Sequence, residues 1–384
     1  MKKLVSLILI ILLLPGCTRQ ENIPEASTKT EIEEIRGVWL FYRELSMVDE
    51  KGGTAESFTE KINTIFDKCV SLGINTVFFH VRPSADSFYA SKIFPFSEYL
   101  TGKQGGAVDY DPLKIAVSLA HEKNISLHAW INPFRISFSS DKSELAETNP
   151  AVKLINENSD RICTVNGGLY FNPASEENRK LIIDGVREIV NSYDVDGVHI
   201  DDYFYPDTDK SIDEKQFQDY VSCGGNLSLE EWRTQNVNTF VSNMYSAVKS
   251  CDENVIVSVS PAGNIENNYK KLYADVKRWG STEGYCDWLI PQIYFGFENS
   301  AQPYETVMNE WRKNTICPSV RLAAGLAAYK VLSGESDEWK KGGIIGRQWG
   351  RAEENGYDGF VLFSYSSIIS EKFSGNDGFL TERR

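Results

Sequence analysis

The sequence predicts an α/β protein in which eight parallel strands close into a single-domain (β/α)8 barrel, the TIM barrel. Short runs rich in valine, isoleucine and aromatic residues alternate with longer amphipathic segments, which indicates βαβ units. There are eight such runs, and eight units are what this barrel requires. No glycine-rich phosphate-binding turn follows the first run, so an open, doubly wound sheet fits less well.

The predicted elements begin at residue 35 and continue to the end of the chain, so residues 35–384 are expected to form one domain. The strands are Ile35–Tyr42, Ile74–Arg82, Ile125–Pro133, Asp196–Phe204, Val255–Pro261, Asp287–Phe295, Arg321–Tyr329 and Gly359–Tyr365. The helices are Ser57–Leu72, Asp111–Lys123, Ser175–Tyr193, Ser228–Ser250, Asn268–Trp279, Pro303–Lys313 and Asp337–Asn355. Two long connections, Pro83–Tyr110 and Asn132–Pro173, are candidates for functional loops.

The N-terminal sequence is typical of a targeting segment. Lys2 and Lys3 precede the apolar run Leu4–Leu14, which is too short for a comfortable membrane span. The run ends in Leu-Pro-Gly-Cys, which resembles the lipobox of a bacterial lipoprotein. By that resemblance, residues 1–16 are a signal peptide, Cys17 carries acyl chains, and residues 17–34 tether the domain to a membrane outside the cytoplasm. An ordinary secretory peptide with a chance cysteine is the alternative.

Composition narrows the possible partners. The chain has 384 residues and a formal net charge of -14, so nucleic acid is not an expected partner. A neutral ligand such as a sugar chain would suit this surface. Six further cysteines have no metal-like spacing, and the sequence neither pairs them nor indicates an oligomeric state.

The stretch DGVHIDDYFYP, from Asp196 to Pro206, places charged and aromatic residues at the end of a buried strand. Strand side chains alternate between the barrel lumen and the helix layer. Val198 and Ile200 suit the helix-facing side, so His199 and Asp201 are expected to face the lumen. Asp202 is expected to point outward unless a bulge turns it.

The same alternation, applied to four strands, predicts a polar pocket at the C-terminal strand ends, where barrel active sites lie. Burying so many polar groups costs free energy unless they pair with one another or with a substrate. The residues expected to face the lumen are His80, Arg82, His128, Trp130, Asn132, His199, Asp201, Gln292 and Tyr294.

Long ordered motifs carry a family resemblance. They are RGVWL, FFHVRPSADSFY, FPFSEYLTGKQG, DPLKIAVSLAHEKNISLHAWINPFR, YFNPASEENRKLI, YDVDGVHIDDYFYP, SVSPAGN and DWLIPQIYF. From about Arg36 to the late strands, the chain resembles the bacterial glycosyl-hydrolase-like 10 family. The resemblance implies a barrel distantly similar to the α-amylase superfamily. It also implies an envelope lipoprotein that hydrolyses peptidoglycan glycan strands, preferring strands stripped of stem peptides. No cofactor is predicted.

The amylase-like pattern implied by the resemblance places a nucleophilic aspartate at the end of the fourth strand, and Asp201 is the matching residue. Glycosidic cleavage usually needs a second carboxyl group. The fifth strand ends in SVSPAGN, with no acid before Glu266. Glu98 and Asp202 rank first as the second carboxyl because they lie in family-like motifs. The lower-ranked candidates are Asp86, Glu266 and Glu298.

The remaining candidates are expected to bind the glycan. Arg82 or a nearby histidine would keep Asp201 ionised. Aromatic rings can stack on sugar faces, and amides can hydrogen-bond sugar hydroxyl or N-acetyl groups. The aromatic candidates are Tyr89, Trp130, Tyr203, Tyr205 and Tyr294, and the amide candidates are Asn132, Asn172 and Gln292.

Two other functions remain open at this point. One is a glycan-binding lipoprotein that has lost catalysis, because the second carboxyl is not obvious. The other is a metal-dependent hydrolase using His80, His128, His199 and Asp201. The His-x-His pair common in barrel metalloenzymes is missing from these strands, so no metal site is predicted.

Overall fold

The structure is a computed structural model that describes residues 33–49, 53–376 and 379–382. The predicted signal peptide, the lipidated Cys17 and all but the last two residues of the predicted tether lie outside this range. From Ile35 onward the described residues form one compact unit.

Eleven strands occur in the described residues. They are β1 Ile35–Leu40, β2 Thr76–Arg82, β3 Ser126–Ile131, β4 Arg135–Ser137, β5 Ile162–Val165, β6 Gly168–Phe171, β7 Gly197–Ile200, β8 Ile256–Val259, β9 Trp288–Leu289, β10 Arg321–Leu326 and β11 Gly359–Phe363. Eight of them close a parallel barrel in the order β1-β2-β3-β7-β8-β9-β10-β11, with β11 pairing back to β1. All eight predicted barrel strands are confirmed; β2 ends at Arg82 as predicted, and the other seven end earlier than expected.

Helices separate the barrel strands and cover them from outside. Two short 3-10 helices, Lys142–Glu144 and Lys210–Ile212, accompany the α-helices. The α-helices are α1 Ala55–Ser71, α2 Glu98–Thr101, α3 Pro112–Glu122, α4 Pro150–Asn156, α5 Glu176–Ser192, α6 Glu214–Ser222, α7 Leu229–Cys251, α8 Ile265–Lys271, α9 Val276–Ser281, α10 Tyr304–Asn314, α11 Ala328–Ser333, α12 Asp337–Lys340, α13 Ile344–Glu354, α14 Tyr365–Ile368, α15 Glu371–Asn376 and α16 Phe379–Glu382.

Two predicted helices are interrupted, because left-handed backbone conformations stop a helix. The segment predicted as Asn268–Trp279 forms α8 and α9, with Tyr273 between them at φ 55°. The segment predicted as Asp337–Asn355 forms α12 and α13, separated by Gly342 and Gly343 at φ 77° and 65°.

Two apolar clusters follow the predicted alternation along the strands. The larger one lies between the barrel and the helices and includes Val198 and Ile200. The smaller one fills the lumen with Trp39, Phe78 and Trp288 and their neighbours. The lumen below the C-terminal strand ends is therefore a packed core, as expected for this barrel.

The connection after β3 contains a feature that the sequence did not predict. Strands β4, β6 and β5 form a small antiparallel sheet in that order. The sheet begins three residues after Asn132, so it holds Arg135 beside the C-terminal strand ends. This short sheet lacks the length and periodicity that reveal the barrel strands.

No helix in the described part of the chain is long and apolar enough to cross a bilayer. All six described cysteines are free thiols.

Candidate active site

A cavity of about 400 Å³ opens at the C-terminal ends of the barrel strands, a size typical of small-molecule and sugar sites. Aromatic rings dominate its wall, and two carboxyl groups, Asp201 and Asp202, lie inside it. Its lining residues are Trp39, Phe41, Tyr42, Arg43, His80, Trp130, Asn132, Arg135, Phe138, Asp201, Asp202, Tyr203, Ser260, Gln292, Tyr294, Tyr329 and Phe363.

Asp201 immediately follows β7, and its side chain points into the cavity as predicted. The residue is 3% exposed. Its Oδ2 accepts hydrogen bonds from Trp130 Nε1 at 3.2 Å and from Asn132 Nδ2, and its Oδ1 accepts from the Tyr203 backbone N–H at 3.3 Å. Three donors thus fix the orientation of this carboxylate and favour its charged form.

Asn132 connects two further side chains to Asp201 through hydrogen bonds. Its Oδ1 accepts hydrogen bonds from His80 Nε2 at 2.6 Å and from an Arg135 guanidinium N–H at 2.8 Å. Because an amide oxygen only accepts, the proton of His80 lies on Nε2. The His80 ring stacks on Trp130 with centroids 3.6 Å apart, and burial lowers the pKa of His80 well below 6.5. His80 is therefore a neutral positioning group.

Asp202 also lines the cavity, which corrects the prediction that it points outward. β7 ends at Ile200, so the alternation of a strand no longer governs residue 202. Asp202 is partly exposed, whereas Asp201 is buried. The chain therefore presents two consecutive carboxyl groups, here called the carboxyl pair, to the same space.

Burial raises the pKa of both members of the carboxyl pair, and the charge of Asp202 raises that of Asp201 further. Because both pKa values are raised, the pair retains one proton at a pH where an isolated aspartate is already ionised. Because three donors converge on Asp201, we assign the shared proton to Asp202. One neutral acid and one anion are the two protonation states that glycoside hydrolysis requires.

Arg135 supplies the positive charge that lowers the pKa of both carboxyls. Its guanidinium lies between the rings of Phe138 and Tyr203, at 4.1 and 4.7 Å from their centroids. It also donates to the Pro83 carbonyl at 2.9 Å. Arg82 or a histidine was expected in this role; Arg135 was not among the predicted residues, although it ends the family-like motif that closes in INPFR.

Arg82 does not line the cavity, which corrects its predicted inward orientation. A bulge between His80 and Arg82 shifts the register of β2 against β3. The guanidinium instead donates to the Pro133 carbonyl at 3.0 Å and lies 4.9 Å from the Phe94 ring centroid. Arg82 therefore holds the loops behind the barrel wall.

His199 and His128 face the lumen as predicted but lie outside the set that lines the cavity. Trp39 Nε1 donates to His199 Nε2 at 3.0 Å, so the His199 proton lies on Nδ1, 2.8 Å from Ser258 Oγ. His128 is fully buried and stacks on Trp288 with centroids 4.8 Å apart. Both histidines belong to the core that supports the site.

Three of the predicted binding residues have structural contacts away from the cavity. Tyr89 is fully buried beside Tyr193, with ring centroids 5.9 Å apart. Asn172 donates to the Ile212 carbonyl at 3.0 Å and is buried. Tyr205 packs edge-on against Tyr273 at 5.0 Å. These three residues are not in a position to contact a ligand in the cavity.

Glu98, one of the two first-ranked candidates for the second carboxyl, also lies outside the cavity. It is the first residue of the short helix α2, which Ser97 caps. Burial and the neighbouring Glu144 raise its pKa. The structure therefore leaves Asp202 as the second carboxyl of the site.

Several lining residues were not among the predicted ones. Trp39 shares lumen parity with Gly37, so the alternation along β1 indicates its inward orientation. Phe363 ends β11 and shares lumen parity with Val361, so the same alternation indicates its orientation. The others follow strand ends, lie in the short strand β4 or lie in the helix α11, where no strand periodicity identifies an inward side chain: Phe41, Tyr42, Arg43, Arg135, Phe138, Ser260 and Tyr329.

Within the described residues, no group of three histidine, cysteine, aspartate or glutamate side chains is arranged to hold a metal ion. The Nε2 atoms of His80 and His199, which could otherwise bind a metal ion, form hydrogen bonds to Asn132 and Trp39.

An eight-stranded barrel with paired carboxyls in an aromatic cavity places the chain in the glycoside hydrolase class. Residues 34–341 match the family model described as glycosyl hydrolase-like 10, and the chain belongs to that family. The predicted resemblance is thereby confirmed.

Two curated proteins that are similar to this chain are both named as glycosyl hydrolases. The chain is 31% identical over 338 residues to glycosyl hydrolase YngK of Bacillus subtilis, covering 83% of this chain and 65% of YngK. It is 32% identical over 339 residues to glycosyl hydrolase DigH of Escherichia coli, covering 80% of this chain and 76% of DigH. The match therefore spans slightly less than two thirds of YngK.

Solved structures support the fold assignment. The PgaB (BpsB) glycoside hydrolase domain from Bordetella bronchiseptica superposes with a TM-score of 0.61 at 12% identity, covering 91% of this chain and 97% of that domain. An endo-1,4-beta-mannanase from Rhizomucor miehei gives a TM-score of 0.55 at 11% identity, covering 91% and 96%. At these identities the likeness concerns the barrel alone.

Proposed function

We propose that this protein hydrolyses glycan strands of the bacterial cell envelope, with peptidoglycan as the substrate and the carboxyl pair as its catalytic groups. The observation that carries the proposal is the carboxyl pair itself. Two consecutive carboxyls line an aromatic cavity at the C-terminal ends of the barrel strands, and burial raises the pKa of both.

The chemistry follows from the two environments within the pair. Asp202 is partly exposed and holds the shared proton, so it can protonate the leaving glycosidic oxygen. Asp201 is held as an anion by Trp130 and Asn132. A fixed negative charge at this point stabilises the positive charge that develops at the anomeric carbon.

The cavity rim suits a sugar chain. Phe138, Tyr203 and Tyr329 are 49%, 49% and 39% exposed, although large aromatic side chains are usually buried. Rings that are exposed beside a polar cleft provide flat apolar surfaces for the faces of sugar rings. Gln292 and Asn132 add amide groups that can hydrogen-bond hydroxyl or N-acetyl groups.

The choice of an envelope glycan rests on the family and on the N-terminal sequence. A lipid-anchored Cys17 would hold the barrel near a membrane outside the cytoplasm, where peptidoglycan strands are within reach. Strands stripped of stem peptides would fit an aromatic-walled cavity without steric conflict from the peptides.

The test is to incubate the purified protein with peptide-free glycan strands and to measure new reducing ends over time. A variant carrying both Asp201→Asn and Asp202→Asn is the matched control for contaminating activity. We expect reducing ends with the wild type and none with the double variant. Binding of the strands without new reducing ends would instead identify a glycan-binding protein, and equal release by both proteins would refute the proposed site.

A further inference from the structure

The two sides of the cavity differ in their chemistry. Among the described lining residues, carboxyl groups occur only at Asp201 and Asp202, directly after β7. β11 lies opposite β7 in the barrel, with β10 and β1 as its neighbours. The residues that these three strands and their following loops contribute to the cavity are Trp39, Phe41, Tyr42, Arg43, Tyr329 and Phe363.

This distribution does not match the usual arrangement of two carboxyls. In that arrangement an acid and a nucleophile or base flank the scissile bond from opposite faces of the sugar. Here the wall that faces the carboxyl pair carries aromatic rings and one arginine. A protonated Asp202 can serve the leaving oxygen, but the described wall has no second carboxylate to attack or to activate water from the other face.

We propose that the attacking group comes from the substrate: the carbonyl oxygen of a 2-acetamido group on the sugar whose glycosidic bond is broken. This inference rests on the proposed glycoside hydrolase function and deepens it. It assigns Asp201 as the acceptor for the acetamido N–H rather than as the nucleophile implied by the amylase-like pattern.

The step balances without any further reagent. The acetamido oxygen forms a bond to the anomeric carbon while the bond from that carbon to the leaving oxygen breaks, and Asp202 gives its proton to the leaving oxygen. The resulting cyclic oxazolinium ion carries the positive charge beside anionic Asp201. Water then adds to the anomeric carbon and gives a proton to Asp202, which regenerates the acetamido group and the acid.

The hydrogen bonds of Asp201 fit this role. Its Oδ2 already accepts from Trp130 and Asn132, so that oxygen is committed to the protein. Its Oδ1 accepts only the Tyr203 backbone N–H, at 3.3 Å, among the described residues. A carboxylate oxygen has capacity for a second donor, and an acetamido N–H is a donor of the right kind.

Asp202 occupies a different place in the same cavity. It is partly exposed, whereas Asp201 lies deeper. A group deeper in the cavity can meet the substituent of the bound sugar, while a group nearer the opening can meet the glycosidic oxygen that leads to the rest of the chain. Trp39 and Trp130 line the cavity and are buried, so their rings limit the access of water to the cyclic intermediate.

The inference names a substrate class. The bond broken must be a β-linkage from a 2-acetamido-2-deoxy sugar, because the acetamido oxygen reaches the anomeric carbon only from the face opposite the leaving group. The new reducing end must then be N-acetylated and must retain the β-configuration when first formed.

The first test uses aryl β-glycosides of chitobiose whose non-reacting sugar is unchanged and whose reacting sugar carries N-acetyl, N-fluoroacetyl, N-difluoroacetyl or N-trifluoroacetyl. Fluorine withdraws electrons from the attacking oxygen, so kcat/KM should fall along the series by at least about tenfold in total. Equal rates across the series would overturn the inference. Cleavage of glycan strands in the separate reducing-end assay would then leave the proposed function standing.

A binding measurement decides the question even where an aryl glycoside is a poor substrate. N-acetylglucosamine thiazoline mimics the cyclic intermediate, and calorimetry should show it binding at least about 100-fold more tightly than N-acetylglucosamine. Asp201→Asn should remove most of that advantage, whereas Glu98→Gln, outside the cavity, should retain it. No preference for the thiazoline in the wild type, or an equal preference in Asp201→Asn, would overturn the inference.

Discussion

Two layers of the barrel lumen contain inward-facing histidines, and these differ in whether their ring nitrogens form hydrogen bonds. In the upper layer, at the catalytic end, His80 donates to Asn132, which in turn donates to Asp201. In the lower layer, His128 packs between Phe78 and Trp288, and neither ring nitrogen has a hydrogen-bond partner among the described residues. Burial lowers the pKa of His128 to about 3.

The difference shows that depth along the strand, rather than inward orientation alone, separates chemistry from packing. The lower-layer imidazole of His128 is neutral and packs as an aromatic ring against tryptophan and phenylalanine in the core. One layer higher, the imidazole of His80 holds the side-chain amide of Asn132, which in turn holds the carboxylate of Asp201. The predictions that follow test this division, starting with the largest expected effect.

The largest effect is expected at the upper layer when the proton donor is removed. Asp202→Asn keeps the size of the side chain but cannot protonate a leaving oxygen, so kcat/KM on glycan strands should fall by about 100- to 10,000-fold. Reducing-end assays and a melting curve check this together. A variant with an intact fold and wild-type turnover would assign the acid to another residue.

A substitution in the lower layer should change the free energy of unfolding rather than the turnover. A Cβ added at Gly197 would lie 2.4 Å from His128 Nδ1, so Gly197→Ala should destabilise the protein by about 1–3 kcal/mol. Denaturant unfolding of the single variants Gly197→Ala and His128→Ala and of the double variant measures the coupling. If the alanine at 197 costs as much in the His128→Ala background as alone, the two residues do not compete for space.

A smaller effect should appear in the pH dependence of stability. Burial raises the pKa of both members of the carboxyl pair above the unfolded value of about 3.9, so the folded pair retains a proton that the unfolded chain loses. The stabilising contribution of that proton is therefore complete below about pH 4 and is lost as the pH rises through the raised pKa. Relative to the wild type, the variant carrying both Asp201→Asn and Asp202→Asn should become more stable by about 1–2 kcal/mol between pH 4 and pH 8. Urea unfolding at both pH values checks the sign, and a difference that does not change with pH would contradict the burial of a charge at this position.

The smallest effect is expected outside both layers. Glu98 begins a short helix away from the cavity, so Glu98→Gln should leave kcat/KM on glycan strands within about twofold of the wild type. Steady-state kinetics measured beside Asp202→Asn make the comparison direct. A loss as large as that of Asp202→Asn would restore Glu98 as a candidate acid.

Much of the barrel could be predicted because its strands are buried on both faces and its helices are amphipathic, which gives strong periodic signals. The same alternation located Asp201, Trp130 and Asn132 in the upper layer. It failed for Arg82, because a bulge in β2 shifts the register, and for Asp202, because β7 ends two residues earlier.

The remaining parts of the site lie where periodicity gives no information. Arg135 reaches the carboxyl pair from a three-stranded sheet that is too short to be recognised in the sequence. Phe138 and Tyr329 approach from connections after the strands, and their inward positions depend on tertiary packing. His80 and His128 differ in their hydrogen-bond partners, which depend on the tertiary structure and leave no pattern in the sequence.

The most direct measurement follows turnover and binding in the same Asp201→Asn preparation. The asparagine keeps the shape of the side chain and can still accept from Tyr203, but it removes the charge at the reacting centre. We expect no detectable release of reducing ends from peptide-free glycan strands, while calorimetry shows an affinity for those strands close to that of the wild type. Wild-type turnover in this variant would contradict the account.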